Sequence, residues 1–429
     1  MRASRPLIVC THCDTVHERV PAQGAGLARC ARCDNELYRH SRFSPREWQA
    51  LVLAVFILFL IANLFPVVHL SMAGKTVSPT FPKALLLIWQ QGHWSLSVMA
   101  GLVGFWLPLF QLIFQFWALG LLARGRPLPG DFGFGLRVLG HLGHWSMTAV
   151  LFLGLLVAIV KFAGMGHLTM APGMYAFFAL TFLLTGLSRI TAHRLWHWAE
   201  DRDLVPVATK QDLKENPAWT ACSHCGFLQS SQNKNCDRCG ATVHKRKPNS
   251  RARVAALVAT ACVFYIPANV LPVMELRSIV GNSAHTILGG VIELWQLGSW
   301  DLALIVFIAS IVVPITKLLA LMVLLLGRRW RGNGVQRQRN RIYDMVELIG
   351  QWSMLDVFVV VLMAALANFP GLSQIIPGPG ALSFGIVVVL TMLAAISYDP
   401  RHGWDQDNDQ ENTVEPQHKP SRPASQATS

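Results

Sequence analysis

Charge is scarce in this chain. Asp, Glu, Lys and Arg make up 14% of its 429 residues and hydrophobic residues 52%, whereas soluble domains carry about 25% charged residues. That deficit excludes an ordinary soluble domain and points to a membrane. Also missing is an apolar leader: the first apolar stretch begins near Leu51, after a basic segment that already contains four cysteines. A cleaved signal is therefore not expected, and the N-terminus is expected in the cytoplasm. No nucleophile–base constellation and no phosphate-binding loop occurs, so no enzymatic site is expected.

What is present is a series of apolar runs of the length that crosses a hydrocarbon core. Eight can be read, at about 49–68, 94–122, 139–163, 174–195, 252–272, 300–326, 346–367 and 381–398. The second and sixth are long enough to tilt or to project from the bilayer. With the N-terminus inside, the cytoplasmic segments become 1–48, 123–138, 196–251, 327–345 and 399–429. Of 37 Lys and Arg, Lys75, Lys83 and Arg277 lie on the opposite side and Lys161 and Lys317 deep within spans, and the remaining 32 lie inside or at the inner helix ends. This bias is the positive-inside pattern. It accounts for the net charge of +13 without nucleic acid, which is not expected as a partner; basic loops beside a membrane meet anionic headgroups. The outer segments 69–93 and 273–299 each hold an apolar stretch ending in tryptophan, at Trp89 and Trp295, read either as short interfacial helices or as an aromatic belt. The polar tail from 399 onward is expected to be disordered.

The chain repeats itself. Cys30 and Cys33 recur as Cys236 and Cys239, 206 positions on, and at the same offset Asn63 and Pro66 recur as Asn269 and Pro272, Trp89 as Trp295, Trp94 as Trp300 and Pro108 as Pro314. With one extra residue, Trp145-Ser146-Met147 recurs as Trp352-Ser353-Met354; Pro172-Gly173 recurs as Pro379-Gly380. Both halves enter from the cytoplasm with four spans, so the repeat is parallel, an arrangement that transporters use. In the paired Asn-x-x-Pro segments, proline removes a backbone donor and ends the helix. The expected architecture is an all-α polytopic membrane protein of two parallel four-helix repeats. Its parts are a ribbon over 1–48, membrane domains over 49–198 and 251–398 separated by a second ribbon over 199–250, and a tail over 399–429.

Eight of the nine cysteines form four CxxC pairs: Cys10 and Cys13 with Cys30 and Cys33, then Cys222 and Cys225 with Cys236 and Cys239. Cytoplasmic thiols stay reduced, and two knuckles at this spacing suit a tetrahedral thiolate site, so two zinc ions are expected, one per ribbon. Gly226 and Gly240, each after a second cysteine, tolerate a tight turn. Iron fits the same all-thiolate set. Thiol–disulfide chemistry is the alternative, but the outer loops contain no cysteine to pass electrons to. His12, His17, His224 and His244 lie nearby without a required role.

Ionisable residues inside a membrane are functional candidates. Lys317 and Asp356 lie at depths of about 14 and 15 Å at 1.5 Å per residue, and are expected to pair if their helices are neighbours. Ser310 shares the face of Lys317, two turns earlier. The first half has Gln111 and Ala149 at the equivalent positions, so symmetric folding does not require the pair. A structural ion pair and an ion-responsive couple in a transport cycle both fit. Lys161, near the outer end of the third span, is positioned to snorkel.

The cytoplasmic four-cysteine ribbons, the paired Asn-x-x-Pro segments, Val313-Pro314-Ile315-Thr316-Lys317 and Gly350-Gln351-Trp352-Ser353-Met354-Leu355-Asp356 together resemble the paraquat-inducible protein A family, which includes the lipophilic envelope-spanning tunnel protein A group. The resemblance covers about residues 10–398. It implies a bacterial inner-membrane protein with cytoplasmic termini that works with an MCE-domain tunnel protein spanning the periplasm, moves phospholipids between the two membranes and so contributes to envelope integrity. It also implies ribbon ligands at the eight CxxC cysteines and polar membrane residues at Ser310, Lys317, Asp356 and Lys161. Ala149 departs from the tunnel-protein pattern, which has an acidic residue there. A thiol oxidoreductase and a non-transporting scaffold are the competing classes.

Overall fold

The computed structural model describes residues 6–19, 26–40, 43–72, 75–143, 145, 148–162, 167–215, 219–278, 281–296, 298, 300–327, 333–369 and 373–405. Two short antiparallel hairpins come first, β1 (Leu7–Val9) with β2 (Val16–Glu18) and β3 (Gly26–Arg29) with β4 (Glu36–His40). Ser44 then opens α1 (Pro45–Leu64) with a reciprocal cap: its hydroxyl accepts from the Glu47 N–H, and the Glu47 carboxylate accepts from the Ser44 N–H.

The same succession of elements follows twice. In the first half α1 is followed by β5 (Val68–Met72), β6 (Lys75–Val77), α2 (Phe81–Gln90), α3 (Trp94–Gly101), a π-helical turn (Leu102–Trp106) and α4 (Leu107–Arg124). Then come α5 (Phe132–Gly143), α6 (Thr148–Phe162), β7 (His167–Met170), α7 (Pro172–Leu187) and α8 (Ala192–Glu200). A short helix α9 (Lys210–Glu215) and a hairpin of β8 (Trp219–Ala221) with β9 (Leu228–Ser230) lead to the second half. This runs through α10 (Ser250–Val270), β10 (Met274–Ser278), β11 (Gly281–His285), α11 (Ile287–Gln296), α12 (Trp300–Phe307), a π-helical turn (Ile308–Val312) and α13 (Val313–Leu326). It ends with α14 (Asn333–Gly350), a 3-10 turn (Gln351–Met354), α15 (Leu355–Leu366), β12 (Ser373–Pro377) and α16 (Pro379–Ser397).

Among the described residues, six helical stretches are long and apolar enough to cross a membrane: Pro45–Leu64, Trp94–Arg124, Ser250–Val270, Ala303–Leu326, Gly334–Leu366 and Pro379–Ser397. The fourth span expected from sequence ends at Leu187 and resumes, bent by 51°, as α8, because Thr191 caps a new helix by accepting from the Arg194 N–H. The third, expected over 139–163, is divided between α5 and α6. Alone, the 15 residues of α6 fall short of the ~20 that cross a bilayer; Gly140 and Gly143 sit at the division, and glycine weakens helices.

The expectation of an all-α chain is corrected by five small antiparallel sheets. Two of them are three-stranded and equivalent, in the orders β6-β5-β7 and β11-β10-β12. They lie where the chain was expected to leave the outer face, and each takes its third strand from the far end of its own half, a pairing invisible to local pattern. The Asn-x-x-Pro segments end their helices as expected: α1 stops at Leu64 and α10 at Val270, and Asn63 and Asn269 each donate to the carbonyl four residues back, Phe59 O and Tyr265 O, at 2.8 Å. Gly173 and Gly380 are required where that chain passes. A Cβ would lie 2.6 Å from Pro66 O in one case and 2.6 Å from Leu271 O in the other.

The halves meet at α15, which packs on α6 and α2 of the first half and buries ten of its 12 residues. Phe358 packs edge-on against Phe81 at 6.3 Å, and Gly154 lets it approach: a Cβ there would lie only 3.2 Å from Phe358 Cβ. Leu, Val, Ile, Phe and Trp side chains such as Leu53, Ile113, Phe182, Val263 and Leu319 remain exposed around the bundle, as expected for surfaces covered by lipid.

Candidate functional site

Each four-cysteine set converges. In the first, Cys10 Sγ and Cys33 Sγ are 3.4 Å apart and Cys13 Sγ and Cys30 Sγ 3.5 Å; in the second, Cys222 and Cys239 are 3.7 Å apart and Cys225 and Cys236 3.6 Å. All four sulfurs of a set lie within 4.8 Å of one another and all eight cysteines are buried. A tetrahedral ion with bonds of about 2.3 Å spaces its sulfurs by about 3.8 Å, so both sets fit one. The four knuckles are built alike. The residue after each second cysteine, Asp14, Asp34, Gly226 or Gly240, has a positive φ between 57° and 72°. Its N–H returns to the carbonyl of the first cysteine at 2.8–2.9 Å. Glycine adopts this conformation freely, and Asp is among the few other residues that tolerate it.

Sequence reading assigned His17 no role, yet it is 3% exposed and places Nε2 3.2 Å from Cys30 Sγ. The alternation of β2, which points Val16 and Glu18 one way and His17 the other, is the signal that carries it. The largest difference concerns the tail. Residues 399–405, assigned to a disordered segment, are ordered: Trp404 is fully buried against the first cysteine set, and the Arg32 guanidinium lies 4.9 Å from its ring centre. Asp399 accepts from Arg401 Nε at 2.9 Å and from the Lys247 N–H at 3.0 Å. Burial works against its charge, but these donors outweigh burial and hold the carboxyl at about 2. Arg246 bridges Asp14 of the first knuckle to Asp405.

The two ribbons touch each other through β1 and β9, and each also has a support of its own. The first is clasped by the end of the second half, with Arg337 Nε of α14 donating to Arg32 O at 2.8 Å. The second packs on the first half. A Cβ on Gly133 of α5 would lie 3.0 Å from the Cys239 backbone, and Arg238 stacks 4.6 Å over Trp196 and pairs with Glu200 at 2.7 Å. Glu200 also binds Arg19 of the first ribbon at 2.8 Å, so one carboxylate ties both ribbons to α8. Burial would raise its pKa; His197, Arg238 and Arg19 outweigh that and hold it at about 2.

Within the membrane region the expected Lys317–Asp356 pair does not form; no ion pair joins the two among the described residues. Lys317 is 2% exposed and its Nζ has no hydrogen-bond partner there. Its ammonium instead packs on the last residue of α14: a Cβ on Gly350 would lie 3.1 Å from Nζ. Asp356 lies in the first turn of α15, which packs on the π-helical turn that holds Ser310, and its Oδ2 is buried with no hydrogen-bond partner among the described residues. The 3-10 turn at 351–354 lies between Gly350 and Asp356, within the one continuous helical stretch Gly334–Leu366. Ser353 in the turn is 2% exposed, with its hydroxyl unpartnered among the described residues.

Ser310 belongs to the π-helical turn. Pro314 cannot donate to the Ser310 carbonyl four residues back, and its ring would crowd it; the wider turn absorbs both effects. Pro108 stands in the same relation to the first-half π turn. Ser310 is fully buried and donates to Val306 O at 2.7 Å. Gln111, the counterpart of Lys317, also buries an unpartnered oxygen. Lys161 falls in the last turn of α6, and its side chain lies outside the described residues.

The family described as Paraquat-inducible protein A matches residues 46–200 and again 252–408. The chain is 31% identical over 412 residues to the intermembrane transport protein PqiA of Escherichia coli, covering 94% of this chain and 97% of that one. It is 28% identical over 400 residues to the lipophilic envelope-spanning tunnel protein A of Escherichia coli, 92% and 90% of the two chains. A probable intermembrane transport protein of Haemophilus influenzae is 28% identical over 410 residues, 93% and 95% of the two. No solved structure matches. The first and third of these relatives are named for intermembrane transport, a non-enzymatic role. On this full-length similarity and the twofold family match, the chain is a multi-pass membrane protein that belongs to the paraquat-inducible protein A family.

Proposed function

We propose that this protein is the inner-membrane component of a lipid transport system between the two membranes of a bacterial envelope. In this reading it exchanges phospholipid with an MCE-domain tunnel protein in the periplasm. Two parallel repeats of four membrane segments form the body, with both ribbons and both termini in the cytoplasm. α5 with α6, and α7 with α8, serve as the broken third and fourth segments. Cys10, Cys13, Cys30 and Cys33 hold one zinc ion, and Cys222, Cys225, Cys236 and Cys239 a second. Zinc here supplies folding energy to segments too small to hold a core. No enzymatic step is assigned.

The observation that carries the reading is a pair of ionisable residues inside the membrane region, the buried Lys317 against Gly350 and Asp356 beside Ser310, on either side of the 3-10 turn at 351–354. Lys317 is nine residues from the end of α13 at Leu326, a depth of about 14 Å at 1.5 Å per residue. An ionisable residue inside a membrane span marks a candidate transport site. Lys161, Lys317, Asp356 and Ser310 are proposed as its polar residues. The test is lipid transfer between donor vesicles containing the chain and acceptor vesicles, with and without the tunnel partner. Transfer that requires both proteins supports the proposal. Partner binding without transfer favours a scaffold.

A further inference from the structure

A groove of about 360 Å³ runs between α1 and α4 on the outside of the first half. Leu53, Phe56, Leu112, Ile113, Phe116 and Trp117 form most of its wall, and Leu53, Ile113 and Phe116 are 45%, 45% and 39% exposed along its lip. Its other end is polar. Gln49 and Arg124 close it, and Arg124 is the one charged residue of the lining. Arg124 is exposed and unpaired among the described residues. Arg202 donates to Leu122 O in the same last turn of α4, bringing a second cation to this end. Gly120 makes the space: a Cβ there would lie 2.8 Å from Gln49 Nε2.

The dimensions are those of one leaflet. From Ile113 to Arg124 is eleven residues, about 16 Å of helix, against roughly half of a 30 Å hydrocarbon core. The second half differs at the position that makes the space. At the common offset Leu326 replaces Gly120.

We propose that the α1–α4 groove holds one glycerophospholipid of the cytoplasmic leaflet, its acyl chain against Leu53, Ile113 and Phe116 and its phosphate at Arg124. Apolar walls one leaflet long and a free guanidinium at the headgroup level match that amphiphile and no soluble anion. The inference rests on the lipid-transport reading, to which it adds a loading position on the cytoplasmic side.

The full chain is reconstituted in vesicles of phosphatidylethanolamine and phosphatidylglycerol containing a phospholipid with a photoreactive diazirine in one acyl chain. Labelled residues are then mapped after irradiation. Leu53, Ile113 and Phe116 should be labelled roughly tenfold more than Val263 and Ile266, equally apolar residues on the open face of α10, a ratio that needs only a modest affinity difference. Arg124→Ala should lower labelling of the groove about fivefold, the worth of one basic residue at an anionic surface. Ile113→Trp should displace the label from Leu53 and Phe116, with zinc content reporting that the variant is folded. Equal labelling of the groove and the α10 face means ordinary surrounding lipid and overturns the proposal. So does groove labelling that ignores Arg124. Label position needs no transfer, so labelling without transfer rejects the transport reading and keeps the groove, whereas transfer with uniform labelling rejects the groove alone.

Discussion

The Lys317 ammonium lies against Gly350 so closely that a Cβ on the glycine would stand 3.1 Å from Nζ. The clash is with the free end of a flexible side chain, so Gly350→Ala should fold, at a cost of about 1 kcal/mol or less, while displacing the ammonium from the end of α14. The expected result is an unfolding midpoint near that of the parent and reduced lipid transfer.

Lys317→Met separates stability from function more sharply. Nζ has no hydrogen-bond partner among the described residues, and replacing a buried charge by an apolar side chain of similar volume is often neutral or stabilising by about 1–4 kcal/mol. The variant should resist denaturant at least as well as the parent and lose lipid transfer. A variant that unfolds more easily would mean that the lysine holds the fold together.

The ribbons should carry two zinc equivalents per purified chain, measured by elemental analysis. Trp404 is fully buried on the first cysteine set alone. Trp404→Ala should therefore speed chelator-driven release of one equivalent and leave the other unchanged. Removing a buried tryptophan costs about 3–5 kcal/mol, enough to accelerate local opening by more than tenfold. Equal acceleration of both equivalents would contradict the separate supports described for the two ribbons.

Asp399 gives a pH test. Its carboxyl is held at about 2 in the fold against an ordinary value of 3.8. A depressed folded pKa contributes stability that is full above the unfolded value and is lost as pH falls through the folded one. Asp399→Asn leaves Arg401 without its buried partner and should cost about 3 kcal/mol at pH 7, read as hydrogen exchange in residues 399–405. Parent and variant should converge as the pH falls from about 4 to 2.

Several of these features were legible in the sequence. The four CxxC pairs gave the convergence of sulfurs, because local spacing alone brings each pair together, and the apolar runs located most of the long helices. Asn63 with Pro66 and Asn269 with Pro272 marked the ends of α1 and α10. What escaped depended on distant chain. β7 and β12 join sheets whose other strands lie about a hundred residues earlier in the sequence, and Trp404 is ordered by a ribbon at the opposite terminus. Lys317 and Asp356 were singled out by depth, but depth does not say which way a side chain turns: Lys317 packs on Gly350 and Asp356 lies beyond the 3-10 turn at 351–354, so the expected pair does not form.

The central claim is that Asp356 takes part in moving lipid, and Asp356→Asn tests it most directly. This substitution keeps the size of the side chain but removes its charge. The measurement is the rate of phospholipid transfer through the tunnel partner from vesicles containing either parent or variant, at matched zinc content and matched partner binding. The account predicts that transfer stops in the variant. Transfer at the parental rate would contradict it and reduce Asp356 to a structural residue.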